Sequence, residues 1–547
     1  MSPPPPISTS GASRRNLLKL GLFGLAAGAA SSPALAMQAP GFTHSVASGE
    51  PSATRVLLWT RYIGPGGDSK LTWEISETAN FSRIVASGET QTSQQRDWCA
   101  KAWAEGLRPG TWYYFRFVSP VGDVSPTGRT RTLPVGKTPG FKLAVFSCSN
   151  YGFGLFNAYA HAAEQGDFDL AVHLGDYFYE YQRGEYPSVK TALAGRELPD
   201  HETVTLAQYR TRFALYRSDP DLQRLHQILP MVTVWDDHET ANDSWQGGAE
   251  NHQSETEGDW AVRKAAAQRA YREWLPVSDD DWASYEIGNL ATLLRLETRL
   301  VARDKPLNYL ELYKDAPASD ARIAAFGAGP LADPSRTLLG AAQEAWLAGV
   351  LKASVKARKP WQVLAQQVIM GELKLTERVL DTMPAQTSAE FKQRMHAMVA
   401  ASRAGVPLNM DAWDGYPAAR ERLFKSALAA NANLVVLTGD SHNAWAFDLD
   451  HKGRRVGVEM AGHSVTSPGA ESNIRWMKPD ELARESVAAN RQLKWCDMSQ
   501  RGYMAVELTP KAATSEWRFM ASIRHKGTAL AGTKRMTVRA GQRRYSA

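Results

Sequence analysis

Long apolar runs are missing from this 547-residue sequence beyond its first forty or so residues. A membrane-spanning helix needs about 20 consecutive apolar residues, so we expect no transmembrane segment in the mature chain. Blocks of like charge are missing too, because 63 basic and 57 acidic residues are mixed along the chain and the formal net charge is only +6. This pattern does not predict a nucleic-acid-binding module.

Cysteine is scarce, with only Cys99, Cys148 and Cys496 present. Three cysteines in so long a chain exclude a small scaffold held together by disulfides. At most one pair can form, and one thiol must remain. The sequence alone leaves open whether Cys99 pairs with Cys496.

The N-terminal leader carries an export pattern. Arg14 and Arg15 precede an apolar stretch, Leu20–Ala30, which is too short to span a bilayer. Small residues at Ala34–Ala36 are typical of a signal-peptidase site. We interpret residues 1–36 as a twin-arginine (Tat) signal peptide rather than a mobile tail. The predicted location is periplasmic or secreted, and the Tat translocation machinery is a predicted partner.

Two domains are predicted after the leader. Residues 41–135 hold short β-rich runs separated by turn residues, and Gly106–Phe117 has the pattern of a tyrosine corner, so we predict an N-terminal Ig/fibronectin-like β-sandwich. Residues 141–547 alternate strand-like and helix-like segments, which predicts an α/β catalytic domain. The long middle, about 255–430, has the composition and periodicity of helices.

Four apolar runs of the second domain end in side chains that bind metals. In α/β sheets, ligands bind beyond the carboxyl ends of the strands, so we expect these four ends to meet. Each strand-end motif taken alone is more typical of a turn, a helix cap or a buried small residue. The four ends carry Cys148 with Asn150, Asp176 with Tyr179, Asp236 and Asp237 with His238, and Asp440 with His442.

The mixture of donor types favours two unequal metal sites. A thiol and a phenol suit a Lewis-acidic transition metal, whereas a carboxylate-rich half suits a harder ion such as Ca²⁺ or Mg²⁺. Two cations about 3.5–4 Å apart can clamp the attacking and leaving oxygens of a displacement at phosphorus. We predict that Cys148 is the unpaired thiol, since a metal-binding thiolate cannot also form a disulfide.

With these motifs in order, the chain resembles the PhoD-like alkaline phosphatases of the metallophosphoesterase superfamily. The resemblance runs from about residue 42 to 503 and implies a metallophosphoesterase-type α/β domain behind the β-sandwich. The segments that carry it are "HSVASGEPSATRVLLWTR", "FSCSNY", "HLGDYFYEY", "VWDDHETANDSW", "LLGAAQEAWL", "DAWDGYPAAR", "LTGDSHNAWAFDL" and "EMAGHSVTSPG".

The resemblance also implies a ligand set. Cys148, Tyr179 and His442 would hold Fe³⁺, and Asp176 would bridge this ion to Ca²⁺. The calcium side would be held by Asp237 and Asp440, with Asn242 a further candidate.

Catalytic roles are implied for His238 and Arg299 at the phosphate, and Asn150 is a further catalytic candidate. The family's Asp-Thr-Arg segment occurs here as "LETR", with Glu297 in place of Asp. Because Glu is one methylene longer than Asp, the role of this residue stays open.

The implied activity is alkaline hydrolysis of phosphate monoesters, diesters or both, by attack of metal-held hydroxide on phosphorus. Two alternatives stay open. The same site could act on phospholipids or nucleotide diesters, or the chain could be an exported metal-binding protein without activity.

Overall fold

The structure is a computed structural model that describes residues 40–308, 311–312 and 320–546. The predicted Tat signal, residues 1–36, lies outside the described residues. In the described part of the chain, no helix combines the length and the apolar character needed to cross a bilayer.

The N-terminal domain is a β-sandwich, as predicted. One sheet has the order β4-β3-β6-β7, and β1, β2 and β5 form the facing layer. The tyrosine corner is confirmed, because the Tyr113 hydroxyl accepts a hydrogen bond from the backbone N–H of Arg108 at 2.9 Å. The strands are β1 Gly41–Gly49, β2 Val56–Ile63, β3 Ser69–Ser76, β4 Ile84–Thr92, β5 Cys99–Ala104, β6 Trp112–Val118 and β7 Gly128–Arg131.

The second domain is built on two stacked sheets. The first has the order β20-β19-β18-β8-β9-β10 and continues into the sandwich, and the second has the order β11-β12-β13-β14-β16-β15-β17. The strands are β8 Phe141–Phe146, β9 Leu170–His173, β10 Met231–Thr233, β11 Ala283–Ile287, β12 Ala291–Arg295, β13 Trp361–Ala365, β14 Leu434–Thr438, β15 Ala444–His451, β16 Arg454–Ala461, β17 Leu493–Asp497, β18 Gly502–Leu508, β19 Ala512–Met520 and β20 Leu530–Arg539.

Successive side chains of a strand point to opposite faces of its sheet. In β8, Leu143 and Val145 therefore lie in the core between the two sheets. Ala144 and Phe146 pack on the other face against the helices. The helices cover both outer faces, giving an α/β/β/α layering. They are α1 Asn157–Gln165, α2 Leu206–Arg217, α3 Pro220–Ile228, α4 Ser254–Glu257, α5 Trp260–Trp274, α6 Asp320–Ala328, α7 Gly340–Lys356, α8 Arg378–Asp381, α9 Ala389–Arg403, α10 Pro417–Ala430 and α11 Pro479–Ala489.

The expectation of a helical middle at about 255–430 is corrected by β11, β12 and β13, which lie inside it. Strands β12 and β13 are buried at every position. A short strand buried on both faces shows no alternation of polar and apolar residues, and so cannot be told from a buried helix by its pattern.

The sandwich and the catalytic domain share a sheet. Strand β1 pairs in parallel with β10 at Gly49 and Met231. On its other side, β10 pairs in parallel with β9, and β9 pairs in parallel with β8. In the second sheet β12, β13, β14 and β16 are parallel. The carboxyl ends of each parallel set therefore meet at one edge of its sheet, and the site lies there.

Candidate metal centre

The predicted ligands lie in the turns that follow β8, β9, β10 and β14. Cys148, Asp176, Asp440 and His442 all adopt left-handed backbone conformations, with φ of 58°, 52°, 59° and 60°. Such a conformation is unfavourable for a residue with a side chain and clusters at functional sites. These four turns bend sharply at the residues that carry the metal-binding groups.

Close packing explains why two of the ligand candidates, Asp176 and Asp440, each follow a glycine. Gly175 has a φ of 99°, and a Cβ there would lie 2.3 Å from the Cβ of Asp236. A Cβ on Gly439 would lie 2.7 Å from the Cβ of Ser147. Only glycine lets these neighbouring turns approach so closely.

The structure brings the ligands of all four strand ends together in buried, overlapping groups. Within each group the ligand atoms lie within 4.8 Å of one another. Asp176 belongs to two groups and Asp237 to two, so the groups form a continuous chain across the edge of the sheets. The groups are Cys148 with Asp176 and His442, Asp176 with Asp237 and His238, and Asp236 with Asp237 and Asp440.

Tyr179 joins the first group. Its hydroxyl donates to Asp176 Oδ2 at 2.9 Å and lies 3.0 Å from His442 Nε2. It also accepts a hydrogen bond from Ser467 at 2.7 Å. Burial, and then the Asp176 carboxylate, raise the pKa of the Tyr179 phenol well above its ordinary value.

Cys148 is a free thiol, as predicted, and so are Cys99 and Cys496. Burial raises the pKa of the Cys148 thiol well above its ordinary value, and Asp176 adds to the effect. A cation would reverse this electrostatic balance, since it favours the thiolate and phenolate forms.

Several buried oxygens of the cluster have no hydrogen-bond partner among the described residues. They are Asp176 Oδ1, Asp236 Oδ2 and Asn242 Oδ1. Asn242 Nδ2 is meanwhile bonded to Glu250 at 3.1 Å. A buried acceptor without a partner is costly, and a buried carboxylate more so. Metal cations would satisfy these oxygens, so the residues present fit a metal centre.

Arg299 lies inside the acidic cluster rather than at its rim. Its guanidinium is fully buried and donates to Asp236 at 2.5 Å and to Asp411 at 2.6 Å. Asp440 is 3.3 Å away and Asp237 is 3.9 Å away. Burial alone would lower the pKa of Arg299, but these carboxylates raise it well above its ordinary value. Arg299 therefore carries a fixed positive charge that orders the carboxylates.

His238 is held by an acid that the sequence interpretation did not single out. His238 Nδ1 lies 2.7 Å from Glu180 Oε2, and both side chains are fully buried. Burial alone would lower the pKa of His238, but Asp237, Glu180 and Asp176 raise it well above its ordinary value. Asn251 and the backbone N–H of Asn242 bind the other oxygen of Glu180. Glu180 thus fixes the orientation of the imidazole.

Asn150 is buried, but its amide is engaged by the polypeptide. Oδ1 accepts from the backbone N–H of Gly152 at 3.0 Å, and Nδ2 donates to the carbonyl of Tyr186 at 3.4 Å. These contacts support the loop after Cys148. The predicted catalytic role of Asn150 stays a prediction.

The Glu297 carboxylate has a structural role in the turn that follows it. Its carboxylate accepts the backbone N–H groups of Arg299, Leu300 and Val301 at 2.6–3.0 Å. It also accepts the indole N–H of Trp235 at 2.9 Å. Glu297 therefore closes the turn that presents Arg299, and is not a member of the metal-binding groups found among the described residues.

We expect Glu297→Gln to lower stability without removing metal. A neutral amide is a weaker acceptor for four donors, so the free energy of unfolding should fall by about 1–3 kcal/mol. Thermal unfolding and elemental analysis of the same sample measure the two effects. A variant that unfolds like the parent but has lost a metal would show that Glu297 is a ligand after all. Glu344→Gln, whose partner is the half-exposed Arg422, is the control.

Asp411 is the other member of the site that sequence reasoning missed. It binds both Arg299 and Arg303. It lies in the segment between α9 and α10, not at a strand end, so strand-end reasoning could not find it. Asp411 is the first residue of the "DAWDGYPAAR" segment, but the segment alone assigns no role to it.

Comparisons with known proteins identify the family of the chain. Residues 143–517 match the family model of the PhoD-like phosphatases, and residues 28–134 match the model of their N-terminal domain. Alkaline phosphatase D of Bacillus subtilis (strain 168) is 33% identical over 515 residues, which cover 89% of this chain and 79% of that protein. A solved structure of PhoD is 30% identical, with a TM-score of 0.75 and 92% of both chains covered.

Fold, site and comparisons together define a phosphoric ester hydrolase. Within that class, the chain belongs to the PhoD-like phosphatase family, whose two models match most of its length. The resemblance and the fold class inferred from the motifs are thereby confirmed. The relation to alkaline phosphatase D supports alkaline phosphatase activity.

Proposed function

We propose that this protein is an exported, metal-dependent alkaline phosphatase that hydrolyses phosphate monoesters, diesters or both. The observation that carries the proposal is the chain of buried ligand groups linked through Asp176 and Asp237. The buried oxygen atoms of this cluster that have no hydrogen-bond partner among the described residues support the presence of bound cations. Export through the Tat machinery rests on the leader sequence.

The donor chemistry supports two different ions. Cys148, Tyr179 and His442 would hold Fe³⁺, since thiolate and phenolate favour a Lewis-acidic metal. Asp237, Asp440 and Asn242 would hold Ca²⁺ through oxygen atoms alone. Asp176 has one oxygen bound to Tyr179 and one without a partner, which suits a bridging role. Cations at these positions would supply Lewis acidity toward phosphoryl oxygens and a lowered pKa for water.

The chain's own residues then have separable tasks. Arg299 is a fixed cation that can offset charge on the phosphoryl oxygens while it holds Asp236 and Asp411 in place. His238 has Nδ1 bound to Glu180, which orients its ring, and the leaving alkoxide would take its proton from water or from this imidazole. A proton on its Nε2 can pass to the leaving alkoxide. No covalent phosphoenzyme is required.

The non-catalytic alternative predicts bound metal without hydrolysis of any phosphoester. Lipid and nucleotide diesters would use the same site as simpler esters, so they differ in substrate rather than in mechanism. A panel of monoesters and diesters assayed on one metal-loaded sample separates these alternatives.

Elemental analysis and the visible spectrum of the purified protein test the metal assignment. We expect iron with calcium, and a charge-transfer band that Tyr179→Phe removes. Tyr181→Phe is the matched control, because Tyr181 is buried and packs on His238 but forms no hydrogen bond with Asp176 or His442 among the described residues. The band should persist in this variant. Colourless, active protein that holds zinc or manganese would refute the assignment of iron. Protein that binds no metal after reconstitution would refute the proposed centre.

A further inference from the structure

Two neighbouring cavities open beside the metal centre. The first, of about 510 Å³, is lined by the ligand candidates Asn242 and Asp440 together with Asp411, Trp245 and Lys305. This cavity adjoins the carboxylate side of the centre. It is large enough to admit a phosphoester, and the proposed function already requires such a space.

The second cavity, of about 140 Å³, is different in character. Its wall is mainly apolar and comes from the segment after β13, from helix α9 and from helix α11. The apolar lining includes Ile369, Leu373, Met395, Ile474, Leu482 and Met498. Lys374 and Arg394 are the charged side chains that the described residues contribute to the wall, and both are cations. An anion with an apolar body suits such a chamber better than a cation does.

The two cavities adjoin one another. Arg394, Met398, Leu408 and Asn409 line both. The second cavity is also lined by Ser441 and Asn443, which flank the ligand candidate His442 in sequence. The apolar chamber therefore lies next to the cavity that adjoins the metal centre.

A buried hydrogen-bond donor, Asn443, is among the residues that line the chamber. Asn443 is only 3% exposed. Its Oδ1 accepts the backbone N–H of Ala470 at 3.0 Å, whereas its Nδ2 has no partner among the described residues. An unsatisfied donor lining the chamber points to a ligand that brings an acceptor oxygen to this position.

We infer that the second cavity binds the apolar chain of the substrate's alcohol, so that the preferred substrates are alkyl phosphoesters several methylenes long. The inference rests on the proposed phosphatase function and adds the substrate class. The polar side chains Asn409, Ser441 and Asn443 would lie near the ester, and the apolar wall would hold the chain. A nucleoside or a sugar would leave its own polar groups unpaired against that wall.

A chain-length series tests the inference. Methyl, butyl and octyl phosphate, and the corresponding methyl alkyl diesters, are assayed with the metal-loaded protein. We expect kcat/KM to rise about three- to fourfold per added methylene until the cavity is full, and then to level off. Equal kcat/KM across the series would overturn the inference and leave the phosphatase intact.

Calorimetric binding of alkyl phosphonates separates this inference from the proposed function. Phosphonates are not hydrolysed, so octylphosphonate should bind more tightly than methylphosphonate whether or not the protein turns over esters. Tighter octyl binding without hydrolysis of any ester would refute the phosphatase and keep the apolar site. Equal binding of the two phosphonates would refute the site.

Ser486→Leu places extra volume inside the cavity. Ser486 lies on α11 and is 9% exposed. The variant should lose the preference for octyl over methyl esters. Ala488→Leu, on the exposed side of the same helix, should keep it. An unchanged preference in a Ser486→Leu protein with normal thermal unfolding would contradict the location of the site.

Discussion

Replacing Asp176 by Ala should abolish both metal retention and phosphoester hydrolysis. Asp176 belongs to the ligand group of Cys148 and His442 and also to the group of Asp237 and His238. Its loss therefore affects both proposed ions at once. We expect kcat to fall by at least about 10²–10³-fold, the scale for removing one electrostatic contact in a transition state. Metal analysis of the same sample should show the two ions lost together.

Two further variants make this result specific. Asp176→Asn keeps the side-chain volume but removes the charge, and we expect it to lose the metals as well. Asp167→Ala is the control, because Asp167 is an exposed acid just before the same strand, β9, paired with Lys142. Full activity in a verified metal-free Asp176→Ala protein would contradict the metal-dependent mechanism.

Arg299→Met should be the most destabilising single change at the site. It leaves Asp236 buried without its cation and removes one of the two arginines that bind Asp411. Breaking a buried ion pair by removing one partner costs about 3–5 kcal/mol. Bound metals would offset part of this cost, so the loss of stability should be greater after chelation than in the metal-loaded protein. Chemical denaturation with and without chelator measures the difference.

Arg422→Met provides the comparison, because Arg422 makes a similar two-point contact with Glu344 but is 35% exposed. A surface pair contributes at most about 1 kcal/mol. Equal destabilisation of the two variants would contradict the buried ion pairs of Arg299. If chelation did not change the effect of Arg299→Met, Arg299 would not share its carboxylates with a metal.

The sequence brought the metal-binding candidates to one edge of the sheets, whereas part of the fold around them was missed. The ligand candidates lie in the segments that follow β8, β9, β10 and β14, and parallel strands bring such positions to one edge whatever lies between them. The existence of the sandwich, its tyrosine corner and the family followed from local patterns. The second sheet was missed in part, since β12 and β13 are short, fully buried strands within a segment of helical composition.

The supporting residues of the site could not be predicted in the same way. Glu180 acts through His238, which is 58 positions further along the chain. Asp411 acts through Arg299, 112 positions before it. No spacing rule links such partners, because only the folded chain brings them together. The left-handed backbone at Cys148 and Asp176 is equally invisible in the sequence, since neither residue type favours it as glycine does.

The pairing of β1 with β10 has a consequence for the autonomy of the two domains. Strand β10 has β9 on one side and β1 on the other, and Asp237 follows its last residue by four positions. A chain without the sandwich would leave the backbone of Met231, which β1 now covers at Gly49, unpaired at the edge of the sheet. The N-terminal domain thus completes the edge of the catalytic sheet beside the loop that carries Asp237.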